Sequence, residues 1–338
     1  MKIDNPNINI EPLVSIGMAV YNGEKTIELA IQSLINQSYN NLEIIINDDC
    51  SNDRTIQICN KFSEDKRINI YSNKKNIGTF NNINKVFKMS KGKYFMWADQ
   101  DDLRDKDYIT KTVKELENDP LAVLCHSYTA VFLNEKKNIM HINKLNEVKN
   151  LFFLPTRYWK LLRQYNDTLA CSLFRTDSLK KTSLWLPING SSNNLIFELA
   201  LQGHFLEIPE KLFFYSGQAL SNKANVRNEL LKLAHVKAGF LYSPAITLSY
   251  YQVKKILISK INIYYKIILL FLLLYNFFLT NLSKLIFRTC DLIFQKNIPK
   301  FIFNICKILM PENKDIEYIV KPEENPNYYP PFYPYRKV

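Results

Sequence analysis

Three carboxylates stand together at the end of an apolar run in this sequence. The run, residues Tyr94–Trp97, is aromatic or apolar throughout, as expected for a strand buried on both faces. It is followed by Asp99, Asp101 and Asp102. Alternate residues of an extended segment point the same way, so Asp99 and Asp101 can converge on one divalent cation, which takes oxygen ligands from protein, water and phosphate. The alternative is that these acids only cap the helix predicted to begin near Asp105.

The elements that precede this acidic stretch alternate between apolar strands and amphipathic helices. Strands are predicted over residues 13–20, 42–46 and 68–71, and helices over residues 24–37, 54–62 and about 79–89. Such alternation is typical of an α/β fold with right-handed crossovers. We therefore predict a Rossmann-like, mostly parallel sheet flanked by helices.

Polar clusters follow three of the predicted strands. They are Tyr21-Asn22, Asp48-Asp49 and the acidic stretch at residues 99–102. Each cluster alone could be a cap or a turn. Because parallel strands end at the same edge of a sheet, however, the three together indicate a ligand site at that edge. The chain has no GxGxxG or Walker sequence, so a cation is expected to bind the phosphates in place of a glycine-rich loop.

These motifs, in this order, resemble glycosyltransferase family 2, which has the GT-A fold. The first strand, Val-Ser-Ile-Gly-Met-Ala-Val-Tyr-Asn at residues 14–22, resembles that of the family. Asp-Asp-Cys-Ser-Asn-Asp at residues 48–53 resembles its Asp-Asp-Gly-Ser-x-Asp signature, and residues 99–102 resemble its Asp-x-Asp metal motif. The resemblance extends over about residues 13–217. It implies an inverting transferase that uses a nucleotide-diphosphate sugar.

The resemblance also implies the role of individual residues. Asp101 would be the main ligand of Mn²⁺ or Mg²⁺, with Asp99 facing the ribose or the metal and Asp102 facing a coordinated water. The residues implied in donor binding are Val20, Tyr21, Asn22, Glu24, Asp49, Asn76, Gly78, Asn84 and Asp99.

The chain departs from the family where a general base is expected. The family usually has an Asp about eleven residues before the glycine equivalent to Gly203, and here that position is Ser192. The nearest acid is Glu198, which has apolar neighbours, and partial desolvation would suit it to act as a base. The alternative is a structural ion pair or hydrogen bond, with Arg175 as one partner.

The second half of the chain is both basic and apolar. Of the net charge of +12, residues 1–120 contribute −2, and residues 254–307 contain nine Lys or Arg and one acid. The apolar run at residues 267–279 is shorter than the ~20 residues that a membrane-spanning helix needs. We expect a helix lying in the plane of an anionic membrane surface, and no binding of nucleic acid. A core helix, an oligomer interface and a true span are the alternatives.

These patterns predict a GT-A domain at residues 1–217, a helical basic segment at 218–320 and a Pro/Tyr-rich tail at 321–338. The six cysteines have no metal-site spacing and no signal peptide is recognised, so we expect reduced thiols in a cytoplasmic protein, peripheral at the membrane. The expected function is transfer of a sugar to a lipid-linked or surface-polysaccharide acceptor. The alternatives are a nucleotide-sugar-binding protein that has lost catalysis and a nucleotidyltransferase, which the missing glycine- and basic-rich loop disfavours.

Overall fold

The computed structural model describes residues 11–132, 139–143, 152–163, 167–188, 190–216 and 244–294. Within them nine strands form one mixed sheet with helices on both faces. The first half contains β1 (Val14–Val20), α1 (Ile27–Ile35), β2 (Leu42–Asp48), α2 (Thr55–Asn60), β3 (Ile68–Ser72), α3 (Thr79–Met89) and β4 (Tyr94–Trp97).

The second half begins with a short strand directly after the acidic stretch. Its elements are β5 (Leu103–Arg104), α4 (Tyr108–Asn118), β6 (Ala122–Phe132), β7 (Ile139–Asn143), α5 (Leu154–Arg163), a 3₁₀ turn (Asp167–Cys171), β8 (Leu173–Arg175), α6 (Thr176–Leu179), α7 (Ser191–Ala200), β9 (His204–Ser216), α8 (Pro244–Ile258) and α9 (Ile263–Phe294). The predicted tail at residues 321–338 and the boundary at residue 217 lie outside the described residues.

The strand order is β3-β2-β1-β4-β8-β6-β9-β5, with β7 paired to β6. The strands β3, β2, β1 and β4 are all parallel, which confirms the α/β prediction for the first half. The next strand, β8, is antiparallel to both of its neighbours, whereas β6 and β9 are parallel to each other. The whole sheet is therefore mixed, and the mostly parallel arrangement is confined to its first half.

Alternating side chains of β4 pack into two apolar cores, one on each face of the sheet. Tyr94 and Met96 belong to one core, while Phe95 and Trp97 belong to the other. The ring centroids of Phe95 and Trp97 are 4.9 Å apart in an edge-to-face arrangement. A β-carbon at Gly17 of the adjacent β1 would lie 2.7 Å from the Phe95 ring. The strand that carries the acidic stretch is thus held rigidly at the centre of the sheet.

The C-terminal helices pack on the second of these cores. α8 contacts α7, and α9 contacts both α5 and α8. Leu269 and Leu273 of α9 are buried in this contact. The predicted apolar run at residues 267–279 lies within the longer helix α9. Among the residues that the structure describes, no helix has the length and apolar character required to cross a membrane.

Candidate functional site

Three loops meet at the carboxyl edge of the parallel strands, as the sequence predicts. The backbone N–H of Tyr21 donates to Gln100 Oε1 at 3.0 Å, and Gln100 Nε2 donates back to the carbonyl of Tyr21 at 3.2 Å. Asn22 N donates to Ser51 Oγ at 2.9 Å, and Asn52 N donates to Asn22 Oδ1 at 2.9 Å. Side chains therefore tie the loop after β1 to the loops after β2 and β4.

Two residues of these loops adopt left-handed backbone conformations. Asn22 has a φ of 49°, which Asn tolerates better than most residues. Cys50 has a φ of 63° and occupies the position at which the signature described above has Gly. The left-handed conformation is unfavourable by about 1–2 kcal/mol for a residue with a β-carbon. The turn after Asp49 therefore keeps the backbone geometry of the signature even though Cys50 disfavours it.

Asp49 is a buried hub at this edge. Its Oδ1 accepts hydrogen bonds from Asn73 Nδ2 at 2.7 Å and from Ile77 N at 2.9 Å, and its Oδ2 accepts one from Gly78 N at 2.9 Å. Gly78 has a φ of 86°, a conformation that favours glycine. The carboxylate of Asp49 thus fixes the turn that starts α3. Asp49 also lines a cleft.

This first cleft brings together four of the residues predicted to bind the donor. Val20, Tyr21, Asp49 and Asn76 line it. It also contains three residues that the motifs did not indicate, namely Ala19, Thr79 and Asn82. Thr79 and Asn82 are three positions apart on α3 and therefore share one face of this helix. That spacing is the sequence signal that could have indicated these two residues.

Two predicted donor-binding residues have side chains engaged elsewhere. Glu24 Oε2 forms an ion pair with Arg54 Nε at 3.1 Å on the outer side of the loop. Asn84 Nδ2 donates to the carbonyl of Trp185 at 2.8 Å, and Trp185 N donates to Asn84 Oδ1 at 3.1 Å. Neither residue is part of the lining of the first cleft, and their donor-binding roles stay predictions.

A second cleft adjoins the first, because Ala19 lines both. It lies between β1, β4 and the 3₁₀ turn, and it contains Asp99. Apart from Asp99, the residues that line it are apolar or aromatic, namely Gly17, Ala19, Ile83, Trp97, Ala98, Ala170, Cys171 and Trp185. Trp185 and Cys171 come from parts of the sequence that are distant from the three strand-end motifs.

The acidic stretch places its carboxylates beside Cys171. Ligand atoms of Asp99, Asp102 and Cys171 lie within 4.8 Å of one another, and Cys171 Sγ donates to Asp99 Oδ2 at 3.7 Å. Asp102 Oδ1 accepts a hydrogen bond from Ser216 N at 2.8 Å, while its buried Oδ2 has no partner among the described residues. Asp101 lies outside this group, and its part in metal binding stays a prediction.

The three carboxyl groups resist ionisation in the absence of a cation. Burial and then the charge of Asp99 raise the pKa of Asp101 to about 6. Burial is also the main cause of the raised pKa values of Asp99 and Asp102, although Arg104 acts in the opposite direction on both. Asp99 is exposed when its whole residue is considered, so it lies at the surface of the protein.

A buried polar layer lies beneath the acids. Arg104 Nη2 donates to the carbonyl of Cys171 at 3.3 Å, and its guanidinium stacks 3.6 Å from the centroid of Phe213. Burial and then Arg104 lower the pKa of His126 to about 3, so this histidine is neutral. His126 Nε2 is 3.0 Å from Thr129 Oγ1. Arg104 is therefore the cation that offsets part of the acidic charge.

A divalent cation fits this donor set. Asp102 Oδ2 has no partner among the described residues, and the raised pKa values indicate that Arg104 compensates the charge of the carboxylates only in part. Oxygen donors are the ligands that Mg²⁺ prefers, and carboxylates also suit Mn²⁺. A bound cation would reverse the local pKa shifts by favouring the ionised forms.

Glu198 lies outside both clefts, in a structural network. Its Oε2 accepts a hydrogen bond from Ser183 N at 2.7 Å and pairs with Lys255 Nζ at 2.9 Å, and its Oε1 accepts one from Asn194 Nδ2 at 2.7 Å. This geometry favours the structural alternative, with Lys255 of α8 as the ion-pair partner. Arg175 instead donates to Tyr94 Oη at 3.1 Å and to the carbonyl of Ala122. Ser192 is half-buried in the first turn of α7.

Several bacterial relatives match the first part of the chain. An uncharacterized glycosyltransferase of Haemophilus influenzae is 39% identical over 130 residues, which are 38% of this chain and 40% of the relative. The putative teichuronic acid biosynthesis glycosyltransferase TuaG of Bacillus subtilis is 35% identical over 107 residues, 31% of this chain and 42% of TuaG. The chain thus spans less than half the length of these two relatives.

Solved structures establish the fold over a longer range. Residues 1–349 of S. aureus TarS superimpose with a TM-score of 0.59 at 15% identity, covering 78% of this chain and 71% of that one. TarS has also been solved in complex with UDP-GlcNAc, and that structure gives a TM-score of 0.57 at 15% identity, with 78% and 72% covered. The family model described as "Glycosyl transferase family 2" matches residues 15–183, half of the chain. The chain therefore belongs to glycosyl transferase family 2 and has its GT-A fold.

Proposed function

We propose that this chain is a metal-dependent, inverting glycosyltransferase that moves a sugar from a nucleotide-diphosphate donor to a lipid-linked or surface-polysaccharide acceptor. The observation that carries the proposal is the meeting of two adjoining clefts and three carboxylates at one edge of the sheet. The first cleft would take the base and ribose against Tyr21 and Asp49. The sugar would then lie in the second cleft, beside Asp99. The complex of TarS with UDP-GlcNAc supports a donor of this class.

The acidic stretch would hold the cation. Asp99 and Asp101 are the ligands that the spacing predicts, and Asp102 Oδ2 is a further oxygen with no hydrogen-bond partner in the part of the chain that the structure describes. A cation bound there would offset the charge that develops on the departing diphosphate. Transferases of this family often use a divalent metal ion, and Mn²⁺ and Mg²⁺ are the candidates.

The loops would orient the donor and leave one face of the sugar open. Backbone N–H groups that donate to the side chains of Gln100 and Asp49 hold the loops in place before the donor arrives, which lowers the entropic cost of positioning it. Inversion requires the acceptor hydroxyl to approach from the side opposite the diphosphate while a base removes its proton. Glu198, the base predicted from the sequence, lies outside both clefts with its oxygens bound to Lys255, Ser183 and Asn194, so its role as the base stays a prediction.

Turnover tests the proposal. The protein is incubated with Mn²⁺ and a panel of UDP- and GDP-sugars, with and without a lipid extract as acceptor, and release of the nucleotide diphosphate is measured. We expect release with at least one donor, and we expect EDTA to abolish it. Binding of donors without any release would contradict catalysis.

That outcome would favour the second candidate, a nucleotide-sugar-binding protein of the same fold. Ser192 at the usual position of the base, together with the engagement of Glu198, is the observation in its favour. A Ser192→Asp variant distinguishes the two candidates. If the parent is inactive and this variant releases nucleotide diphosphate, the chain is a binding protein that has lost its base.

We further propose that the protein lies at the cytoplasmic face of a membrane, near a lipid-linked acceptor, and that its C-terminal helices contact the bilayer. One face of α9 is buried through Leu269 and Leu273, yet its opposite face is also apolar and exposed. The exposed residues of this face, which we call the α9 outer face, are Ile263, Tyr264, Ile267, Phe271, Leu274 and Phe278. An apolar patch of this kind marks an interaction surface in most soluble proteins.

Charge favours anionic lipid as the proposed occupant of the α9 outer face. Lys254 on α8 and Lys260 between α8 and α9 are exposed, and residues 244–290 contain no Asp or Glu. Lysines beside an apolar helix face can reach lipid phosphates while the apolar side chains enter the acyl boundary. A protein partner would need acidic groups arranged to match, whereas an anionic bilayer supplies them everywhere.

Vesicle flotation tests this part of the proposal. We expect the protein to bind vesicles containing phosphatidylglycerol at low salt, and high salt to weaken binding because the lysine contribution is screened. Phe271→Ser with Leu274→Ser should reduce binding, while Leu29→Ser, at an equally exposed residue of α1, should not. Failure to bind anionic vesicles at low salt would refute the lipid assignment, and a dimer in the same buffer would assign the face to a second copy.

A further inference from the structure

Two tryptophans meet at the second cleft, and only one of them has a satisfied indole N–H. The ring centroids of Trp97 and Trp185 are 5.8 Å apart in an edge-to-face arrangement. Trp97 is 4% exposed and its Nε1 donates to the carbonyl of Ile83 at 3.1 Å. The buried Nε1 of Trp185 has no partner among the described residues, although the side chain is only half-buried. An unpaired buried donor costs about 1–3 kcal/mol, so it calls for an explanation.

The backbone around Trp185 is held at several points. Asn84 bonds both the N–H and the carbonyl of Trp185, at 3.1 and 2.8 Å. Glu198 accepts from the N–H of Ser183 at 2.7 Å, and Ser191 Oγ accepts from the N–H of Leu186 at 2.7 Å. The network that engages Glu198 therefore also fixes the segment that carries Trp185.

The residue before Trp185 is strained. Leu184 has a φ of 55°, a left-handed conformation that is unfavourable for a bulky residue. Strain of this kind costs about 1–3 kcal/mol and persists only where the surrounding structure enforces it, often at ligand sites. Hydrogen bonds to backbone groups on both sides of Leu184 enforce it here. The fold thus places this indole at the cleft at an energetic cost.

We infer that Trp185 binds the sugar of the donor, with its ring against the C–H face and its indole N–H donating to a sugar oxygen. The inference rests on the proposed function. Trp185 and Asp99 line the same cleft. Ala19 is the lining residue that this cleft shares with the cleft assigned to the base and ribose. A diphosphate held at the acids therefore leaves the sugar on the Trp185 side. A hexose has an apolar C–H face edged by hydroxyl groups, which matches an aromatic ring with one free donor.

The test separates the indole N–H from the ring. Affinities for UDP and for each UDP-sugar of the panel, and likewise for GDP and the GDP-sugars, are measured by calorimetry with Mn²⁺. Trp185→Phe keeps an aromatic ring and removes the donor. We expect the affinity for the preferred nucleotide sugar to fall about ten-fold, because one hydrogen bond to the sugar is lost. The affinity for the nucleotide diphosphate should stay within about two-fold of that of the parent.

Trp185→Ala removes both interactions and should weaken nucleotide-sugar binding further, again sparing the nucleotide diphosphate. Trp159→Phe is the control, because Trp159 is half-buried on α5, contacts Tyr275 and lines neither cleft. Equal affinity of parent and Trp185→Phe for the nucleotide sugar overturns the inference and leaves the proposed function standing. Equal loss for sugar and diphosphate also overturns it, because the effect is then structural. A parent that binds neither ligand overturns both.

Discussion

The carboxyl edge of the sheet and the C-terminal helices are built on different principles. At the edge, hydrogen bonds to side chains such as those of Asp49 and Gln100 hold three loops, and Asn22 and Cys50 adopt left-handed backbone conformations. In the C-terminal helices, packing of apolar residues dominates, and the α9 outer face has no partner among the described residues. Hydrogen-bonded loops can position individual polar atoms against a ligand. An exposed apolar face can only select another apolar surface. The edge is thus suited to chemistry and the helices to attachment.

The largest effect on stability is expected from Asp49 at the edge. Asp49→Ala leaves the N–H groups of Ile77 and Gly78 and the amide of Asn73 without their acceptor. We expect the free energy of unfolding to fall by about 3–4 kcal/mol, because several buried donors become unsatisfied. Urea unfolding measures this. A loss below about 1 kcal/mol would show that the loops at the edge do not depend on this hub.

The acidic stretch should make stability depend on pH in a direction opposite to that of most carboxylates. The pKa of Asp101 is raised to about 6, above its ordinary value, so the folded protein binds more protons than the unfolded chain between about pH 4 and 6. Stability should therefore decrease as pH rises through this window, by about 1–2 kcal/mol after allowance for partial exposure. Asp99 and Asp102 shift in the same direction.

Thermal unfolding at pH 5 and pH 7, with and without Mn²⁺, measures this dependence. In Asp101→Asn the decrease should shrink, because one of the groups no longer ionises. In the parent, Mn²⁺ should stabilise the protein more at pH 7 than at pH 5, since the cation binds the ionised carboxylates. A parent equally stable at both pH values, with no response to Mn²⁺, would contradict this account of the acids.

The ion pair between Glu198 and Lys255 joins α7 to the C-terminal helix α8. Removing the charge of either residue breaks an ion pair that is buried on the Glu198 side. A double-mutant cycle with Glu198→Gln and Lys255→Met should give a coupling energy of about 1–2 kcal/mol. If Glu198 is structural, Glu198→Gln should retain turnover within about three-fold while its melting temperature falls. A loss of turnover of a hundred-fold or more with unchanged donor binding would instead identify Glu198 as the base.

A small stabilisation is expected at Cys50. Relief of the left-handed strain at a φ of 63° favours Cys50→Gly by about 1–2 kcal/mol, and the greater freedom of glycine in the unfolded chain offsets part of this. The free energy of unfolding should rise by about 0.5–1 kcal/mol, measured by urea unfolding. The matched variant Cys50→Ala keeps the β-carbon and should give no gain, and destabilisation by Cys50→Gly would show that the left-handed turn is not strained.

Local patterns predicted the edge of the sheet because its motifs are contiguous in sequence. The strand ends at Tyr21, Asp48 and Asp99 follow from apolar runs and parallel topology, and the structure places them together. Cys171 and Trp185 could not be predicted in the same way. They reach the second cleft because β8 inserts antiparallel beside β4, a pairing between residues about eighty positions apart that no local period encodes.

The C-terminal ion pair was missed for a related reason. The apolar flanks of Glu198 correctly indicated burial, and a structural pair was one of the alternatives, but the partner is on α8 rather than at Arg175. Burial of a charge can be inferred from its neighbours in sequence. The identity of its partner depends on helix packing, which is decided by tertiary structure.

Calorimetric titration of the protein with UDP and with GDP, in the presence of Mn²⁺ or of EDTA, tests the central claim most directly. The claim is that the carboxyl edge binds a nucleotide diphosphate through a cation held by the acidic stretch. We predict that the parent binds at least one of the two nucleotides only with Mn²⁺, and we expect Asp101→Ala to remain folded and to lose this metal-dependent binding. Equal affinity in parent and variant with Mn²⁺, or no binding of either nucleotide by the parent, would contradict the claim.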